Sequence, residues 1–170
     1  MNIFYLSPNP KECAHFHNDK HVVKMILEST MLLFTCLHTI GYPMDPDDIK
    51  IYRPTHQNHP CSKWVAASIH HFDWLCQLGL ELCLEYTHRY GKIHACQSQL
   101  IWLTLQLPTL SSYLPATPFV QPFQVMPKEY KHEDAVVAYR NYYIGAKRHF
   151  CTWKHRPVPK WFAIWIHFLQ

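Results

Sequence analysis

The sequence predicts a mainly α-helical protein, a single-domain bundle of about four to five helices preceded by a short N-terminal extended segment. Three observations lead to this prediction. Apolar residues recur at helical spacing over long stretches, no stretch alternates as a half-buried β-strand does, and Gly or Pro stands at the ends of the periodic stretches. A chain of 170 residues suits one domain, which would bury about 70% of the surface of its extended form.

The predicted elements follow in order along the chain. Residues 2–6 are expected to form a short strand or extended arm that ends in a Ser-Pro-Asn-Pro turn. Five stretches have helical periodicity: 11–40, 60–90, 93–106, 133–152 and 157–170. Gly41, Gly91 and Pro108 stop the first three of them. Between the third and fourth, residues 108–127 hold five prolines and almost no charge, so we expect a loop on the surface.

The last of these stretches is the weakest in polar residues. Trp161, Trp165 and Phe168 stand at helical spacing in it. We expect this tail to pack back on the bundle as a final helix.

Composition excludes several classes of protein. The apolar runs are only a few residues long, and the first residues lack the basic and long apolar regions of a secretory signal. Seven cysteines without a C-x-x-C pair suit buried thiols in a reducing compartment. Four glycines leave no Gly-rich phosphate loop. We expect an intracellular protein that neither contacts a membrane nor hydrolyses nucleoside triphosphates.

The stretch 18–28 holds the most informative pattern. His17, His21, Lys24 and Glu28 fall at i, i+4, i+7 and i+11, so one helix face carries two imidazoles, an ammonium and a carboxylate. Such a row can bind phosphates and supply a general acid or base. Alternatively, Lys24 and Glu28 are a solvent-facing pair that stabilises the helix by a few tenths of a kcal/mol.

The C-terminal third, residues 128–170, is basic and aromatic. Between residues 128 and 160 there are eight Lys or Arg against three acids, and aromatic residues are interleaved with them. Cations that neutralise phosphates and rings that stack on bases together predict a nucleic-acid surface. The same pattern is also expected for a helix that has an aromatic face in the core and a basic face in solvent. The candidate DNA contacts in this region are Lys147, Arg148, Trp153, Lys154 and Arg156.

Fourteen histidines raise the question of a metal site. Two groups are close enough in sequence to offer zinc ligands: His15, His17 and His21, and His56, His59 and Cys61. Neither group has the compact spacing of a closed zinc site. We therefore predict no metal and no cofactor.

Two motifs resemble a known family. Asp19-x-His21-Val22-x5-Glu28, after a short N-terminal segment, resembles the catalytic helix of the pyrimidine-dimer DNA glycosylases of the endonuclease V type. Further on, Asn58-His59-Pro60 precedes a helix that ends Glu85-Tyr86-x2-Arg89-Tyr90-Gly91, which is similar to that family's second helix. The resemblance covers roughly residues 1–95. The whole frame also resembles uncharacterised phage and large-virus proteins.

The resemblance implies a DNA repair enzyme, a glycosylase with abasic-site lyase activity that acts on damaged or modified pyrimidine nucleotides. Its partner would be double-stranded DNA, distorted or with a flipped base, bound by a monomer. The protein would be intracellular, and in the host cytoplasm or nucleus if it is viral. The nucleophile is the α-amine, which belongs to Met1, or to Asn2 if Met1 is removed. Glu28 matches the family's glutamate and His21 its imidazole. We expect Met1 or Asn2 to lie on the floor of a cleft that faces Glu28.

The chain also departs from the family. Leu27 and Met31 replace the arginines that flank the glutamate. Lys20, Lys24, His17 and Arg53 are therefore our candidates for DNA contacts beside the basic C-terminal third. A buried Lys20 or Lys24 could replace the α-amine as nucleophile. Two other functions stay open, a non-catalytic nucleic-acid-binding protein and a viral enzyme that modifies or edits a base.

Overall fold

A computed structural model describes residues 1–167, and this part of the chain is helical without any β-strand. Its eight α-helices exceed the four to five that the sequence predicted, while the mainly α class is confirmed. They are α1 (Pro10–Phe16), α2 (Asp19–Thr39), α3 (Pro60–Ala66), α4 (Ile69–Tyr90), α5 (Gln97–Leu105), α6 (Leu107–Leu110), α7 (Ala135–Tyr142) and α8 (Lys160–His167). Phe168 of the predicted final helix lies outside the described residues.

Polar side chains account for two of the additional helices, and the third, the four-residue α6, lies mostly in the stretch 108–127 that was predicted to be a surface loop. The predicted helix 11–40 is broken at Asn18, whose side chain accepts a hydrogen bond from the backbone N–H of His21 at 3.0 Å and so begins α2. Ser68 breaks the helix 60–90 in the same way, by accepting from the N–H of His70. Such side chains offer the backbone an alternative to continued helix. The helix 133–152 leaves α-geometry at Tyr142 and continues as a π-helical turn and a 3-10 turn.

The centre of the fold is the packing of α2 against α4, with α1, α3 and α5 around them. The apolar stripe predicted on α2 is confirmed, because Val22, Ile26, Leu33 and Leu37 are all fully buried. By length and composition α2 could cross a membrane, but 61% of its most apolar window is buried inside the protein. Its apolar character is thus that of a core helix.

The N-terminal segment is extended, as predicted, and enters the core. Ile3, Phe4, Tyr5 and Leu6 are all buried. Both sides of the segment are covered, so it lies between α2 and the C-terminal third rather than on the outside of the bundle.

The proline-rich loop crosses the surface of α3 and α4. The indole Nε1 of Trp64 donates to the carbonyl oxygen of Val120 at 2.9 Å. The hydroxyl of Ser68 donates to the carbonyl oxygen of Thr117 at 2.7 Å. These bonds direct the following residues, 121–126, towards the N-terminal segment.

Candidate active site

Glu28 lies beside the first residues of the chain. The backbone N–H of Asn2 donates to Glu28 Oε2 at 3.0 Å, and Lys24 Nζ lies 3.2 Å from Oε1. The Glu28 side chain is 14% exposed, whereas that of Lys24 is 68% exposed. Met1 is half-buried against the core. The structure thus brings the chain start and the predicted carboxylate together in one place.

The side chain of Asn2 anchors this arrangement. Its Nδ2 donates to the carbonyl oxygen of Val125 at 3.0 Å, and its Oδ1 accepts from the hydroxyl of Tyr139 at 2.8 Å and from the N–H of Ile3 at 2.9 Å. The same hydroxyl lies 2.8 Å from the carbonyl oxygen of Phe123. The proline-rich loop and α7 therefore set the position of the N-terminus.

The start of α3 forms another wall of the site. A hydrogen bond from the backbone of Ile3 and the positive amino terminus both act to lower the pKa of Cys61, but burial outweighs them and raises it to about 11. Burial, the amino terminus and His56 lower the pKa of His59, and the negative Glu28 opposes them. The amino terminus, Glu28 and the start of α3 consequently lie within electrostatic reach of one another.

A cleft of about 950 Å³ opens next to this group. Its position follows from two neighbours, since Pro60 comes directly after His59 and Val125 holds the side chain of Asn2. Phe123 is 55% exposed there, so its ring face is available to a planar ligand. The lining residues are Pro60, Gln121, Pro122, Phe123, Gln124, Val125, Met126, Lys131, His132, Glu133 and Ala135.

His21 does not share the solvent-reachable face of Glu28, contrary to the prediction. It is buried, its ring stacks on Phe4 with centroids 4.2 Å apart, and its Nδ1 lies 2.6 Å from the hydroxyl of Tyr143. Burial, with the nearby His17, Lys147 and Lys24, lowers its pKa to about 3. The helix geometry is as expected, but the N-terminal segment and the C-terminal third cover this end of α2.

His17 is likewise misassigned as a DNA contact. It lies before α2 rather than on it, and it is fully buried. Its Nδ1 hydrogen-bonds the carbonyl oxygen of Cys13 at 2.7 Å, and burial lowers its pKa to about 4. Both imidazoles are therefore neutral parts of the core.

Four of the basic residues predicted to contact DNA reach solvent: Lys20, Lys24 and Arg148 are exposed, and Lys147 is half-buried. Lys20 lies over the ring of Phe150 at 5.0 Å, and Lys147 over that of Tyr142 at 4.8 Å. Lys24 and Lys147 both influence the pKa of His21, so they flank the amino-terminal half of α2. This basic face, which we define as Lys20, Lys24, Lys147 and Arg148, adjoins Glu28 through Lys24.

Two other residues predicted to contact DNA, Lys154 and Arg53, are exposed but lie outside the basic face as defined. Lys154 lies over the ring of Tyr90, while its backbone N–H donates to Asp19. Arg53 is exposed in the connection that follows α2, near Thr55, which hydrogen-bonds Thr35. Thr35 is seven residues beyond Glu28, or about 10 Å along the helix.

Trp153 cannot stack on a base as predicted. It is 7% exposed, its Nε1 donates to the carbonyl oxygen of Phe16 at 3.0 Å, and its ring packs edge-on against Phe162. For Trp153, the aromatic spacing of the C-terminal third therefore indicates a core position and not a DNA-binding surface.

Arg156 is also engaged inside the protein. It donates through Nε and Nη2 to the buried Glu85, which also binds the buried Arg89 at 2.7 Å. Arg89 in turn binds Asp19 of α2 at 2.9 Å. The conspicuous charged residues of the second motif thus tie α2, α4 and the C-terminal third together, because a buried charge requires a partner.

The two histidine groups considered for zinc do not converge. Among residues 1–167, no three His, Cys, Asp or Glu side chains are grouped so that they could hold a metal ion. The rings of His56 and His59 are 6.5 Å apart and nearly perpendicular.

A lysine nucleophile finds no support in burial. Lys20 and Lys24 are both exposed, whereas an amine that is neutral at pH 7 on a lysine needs removal from solvent or a cationic neighbour. An α-amine needs neither, because as a class α-amines are less basic than lysine side chains.

Sequence reasoning missed the residues that position the N-terminus. Tyr139 is one of the aromatic residues interleaved with the charges of the C-terminal third, and nothing in the pattern connects it with Asn2, which is 137 residues away. His59 was noted as a helix boundary and a possible zinc ligand, and its Pro60 neighbour marks that boundary.

Comparison with known proteins now assigns the family. A family model described as pyrimidine dimer DNA glycosylase matches residues 1–98, which include Asn2, Glu28 and His59 but not Val125 or Tyr139. No curated protein and no solved structure matches the chain. Because the match spans more than half of the sequence and includes the chain start and its glutamate, the protein belongs to the pyrimidine dimer DNA glycosylase family.

Proposed function

We propose that this protein is a DNA glycosylase with abasic-site lyase activity, and that its N-terminal α-amine attacks damaged or modified pyrimidine nucleotides. One observation carries the proposal: the backbone nitrogen of Asn2 lies 3.0 Å from Glu28 Oε2. The α-amine is either on the residue before that nitrogen or, without Met1, that nitrogen itself, and an amine beside a carboxylate supplies the two groups that imine chemistry at a sugar needs.

The proposed reaction proceeds in two stages. The neutral amine attacks C1′, a C1′–N bond forms, and the glycosidic bond breaks with its electron pair leaving on the base. Proton loss from nitrogen and opening of the C1′–O4′ bond give an imine. Removal of a proton from C2′ then expels the 3′ phosphate as the C3′–O bond breaks. Glu28 carries protons at the sugar and stabilises the positive charge that develops there.

Met1 and Asn2 are alternative bearers of the amine. A second residue as large as Asn favours retention of Met1, whose half-buried side chain packs on the core beside the site. If Met1 is removed, the atom that donates to Glu28 becomes the amine itself. In the first form the α-amine is one residue before the nitrogen that donates to Glu28, and in the second form it is that nitrogen.

The basic face supplies the binding of DNA in this proposal. Lys20, Lys24, Lys147 and Arg148 are the cations for the phosphate backbone, and they replace the arginines that the family carries at Leu27 and Met31. The adjacent cleft is large enough for an extrahelical base, with Phe123 as its stacking surface.

Borohydride trapping tests the proposal. The protein is incubated with a duplex that contains an abasic site or a pyrimidine dimer, and borohydride reduces any imine to a stable adduct. We expect an adduct with the wild-type protein, and we expect mass spectrometry of the digest to locate it on the N-terminal peptide. Glu28→Gln should reduce strand cleavage by about 10²- to 10⁴-fold and leave DNA affinity near that of the wild type.

Glu129→Gln is the matched control, because Glu129 is an exposed carboxylate outside the site; it should cleave as the wild type does. An adduct on a lysine peptide would contradict the α-amine as nucleophile. Equal loss of binding and cleavage in Glu28→Gln would make Glu28 a structural residue. Binding without any adduct would favour a non-catalytic DNA-binding protein, and base conversion without strand scission would favour a base-modifying enzyme.

A further inference from the structure

His59 holds a fixed orientation at the start of α3. Its Nδ1 accepts a hydrogen bond from the backbone N–H of Cys61 at 3.2 Å, which makes it the N-cap of the helix. Because Nδ1 is the acceptor, the proton of the neutral ring is on Nε2. The cap therefore determines which nitrogen can donate.

The Nε2–H of His59 is available to a ligand. Within residues 1–167 it has no hydrogen-bond partner, and it is not among the polar atoms sealed from solvent. His71 provides a contrast, because its Nδ1 lies 2.8 Å from the carbonyl oxygen of Trp64 and its Nε2 accepts from Val120 N–H at 3.0 Å. Of these two histidines, only His59 keeps a free donor.

The turn before His59 is conformationally demanding. His56 has φ of 49°, a left-handed conformation that is costly for a residue with a side chain. Its carbonyl oxygen accepts from the N–H of His59 at 2.8 Å and from the hydroxyl of Ser62 at 2.9 Å. Such backbone strain persists where the surrounding structure holds a residue in place, and here the residue that is held is His59.

The charges around His59 keep its ring neutral. Burial, the amino terminus and His56 lower its pKa, and Glu28 only partly opposes them. A neutral imidazole can donate a hydrogen bond beside the amine without repelling the positive charge that develops on it. Glu28 already accepts from Asn2 and pairs with Lys24, and no residue in the described part of the chain accepts from His59 Nε2, which leaves this donor for an oxygen of the ligand.

We infer that His59 positions the substrate: its Nε2–H donates a hydrogen bond to an oxygen of the deoxyribose-phosphate whose C1′ the amine attacks. This inference rests on the proposed function and adds a residue to it. His59 is at the mouth of the cleft, since Pro60 lines it, and one bond there restrains the sugar with respect to Glu28 and the amine.

Two substitutions separate this role from the helix cap. In His59→Asn, the side-chain oxygen replaces Nδ1 as the cap but no donor reaches the position of Nε2, and Asn is a favoured N-cap residue. In His59→Gln, the amide nitrogen approximates Nε2 but the cap is lost. The measurements are the single-turnover rate of borohydride-trapped adduct on an abasic-site duplex, DNA affinity and thermal unfolding.

We expect His59→Asn to unfold at the wild-type temperature and to form the adduct about 10- to 100-fold more slowly, the effect of one lost hydrogen bond to a charged acceptor. Its DNA affinity should change less than twofold. His59→Gln should unfold at a lower temperature and yet regain at least part of the rate. If His59→Asn reacts at the wild-type rate, or if His59→Gln is the slower of the two, the inference is overturned. A wild-type protein that forms no adduct overturns the proposed function, and the inference with it.

Discussion

The hydroxyl of Tyr139 is the contact through which the C-terminal third holds the N-terminus. Replacement by Phe removes one oxygen atom and leaves the buried ring in place. This hydroxyl has one proton to donate and lies 2.8 Å from two acceptors, Asn2 Oδ1 and the carbonyl oxygen of Phe123, while its oxygen lies 3.4 Å from the backbone nitrogen of Val125. We therefore expect Tyr139→Phe to lower the free energy of unfolding and to let the amine move away from its position beside Glu28.

The size of the effect follows from these partners. Asn2 Oδ1 keeps the N–H of Ile3, so it is not left without a donor. The carbonyl oxygen of Phe123 and the N–H of Val125 lose the only side-chain partner that the described residues give them. A partly buried hydrogen bond contributes about 0.5–1.5 kcal/mol, and we expect the free energy of unfolding to fall by about 1 kcal/mol. A displacement of the amine by about 1 Å would slow adduct formation by as much as ~100-fold.

Urea unfolding measures the first quantity, and the single-turnover rate of trapped adduct measures the second. Tyr142→Phe is the matched control, since Tyr142 is half-buried on the same helix and its hydroxyl has no hydrogen-bond partner among residues 1–167. Its ring, which contacts Lys147, is retained. We expect this variant to stay within about 0.5 kcal/mol of the wild type and to react at the same rate.

One result would refute this account of Tyr139. If Tyr139→Phe unfolds at a lower urea concentration but forms the adduct at the wild-type rate, the hydroxyl contributes to stability and does not position the amine. If stability and rate are both unchanged, the bond to Asn2 has no energetic importance.

Two further predictions concern acidity and salt. His17 and His21 have folded pKa values of about 4 and about 3, below the unfolded value, so the unfolded chain binds protons first and stability is lost as the pH falls from about 6.5 towards these values. Each histidine contributes a slope of about 1.4 kcal/mol per pH unit to the free energy of unfolding. The free energies of unfolding measured with urea at pH 7 and at pH 5 should therefore differ by about 3–4 kcal/mol. His21→Gln should remove half of that slope. Charge reversal at Lys147 and Arg148 should reduce the slope of log affinity for DNA against log salt concentration by about 0.9 per lost contact. Charge reversal at the exposed Lys50 should leave the slope as it is. If the slope is unchanged in the Lys147 and Arg148 variant, neither side chain belongs to the interface.

Local sequence information determined the helical class, the core stripe of α2 and the pairing of Glu28 with Lys24. Helical spacing alone places Val22 and Ile26 inward and joins residues four apart on one face. The resemblance of the motifs to a known family also predicted that the chain start lies near the glutamate. The family match confirms the resemblance. These are properties of neighbouring residues, and neighbouring residues are what a sequence displays.

The tertiary structure decided which parts of that face reach solvent. His21 and Glu28 stand on the same side of α2, yet Phe4 and Tyr143 cover the first while the second meets the chain start. Trp153 and Arg156 had the composition of a DNA-binding surface, but Phe16 and Glu85 engage them inside the protein. Whether a polar or aromatic side chain is free depends on partners from other segments of the chain, and Tyr143, Phe16 and Glu85 are each more than 70 residues from the side chain that they engage.

The anchoring of the N-terminus is the clearest case of this division. Asn2 is an ordinary residue in the sequence, and Tyr139 is one of ten tyrosines. Only folding brings the carboxamide of the first to the hydroxyl of the second and both to the Val125 backbone. The sequence by itself determined that an amine and a carboxylate were present near the start of the chain. The distance between them, on which any reaction depends, arises from long-range packing that leaves no periodic signal.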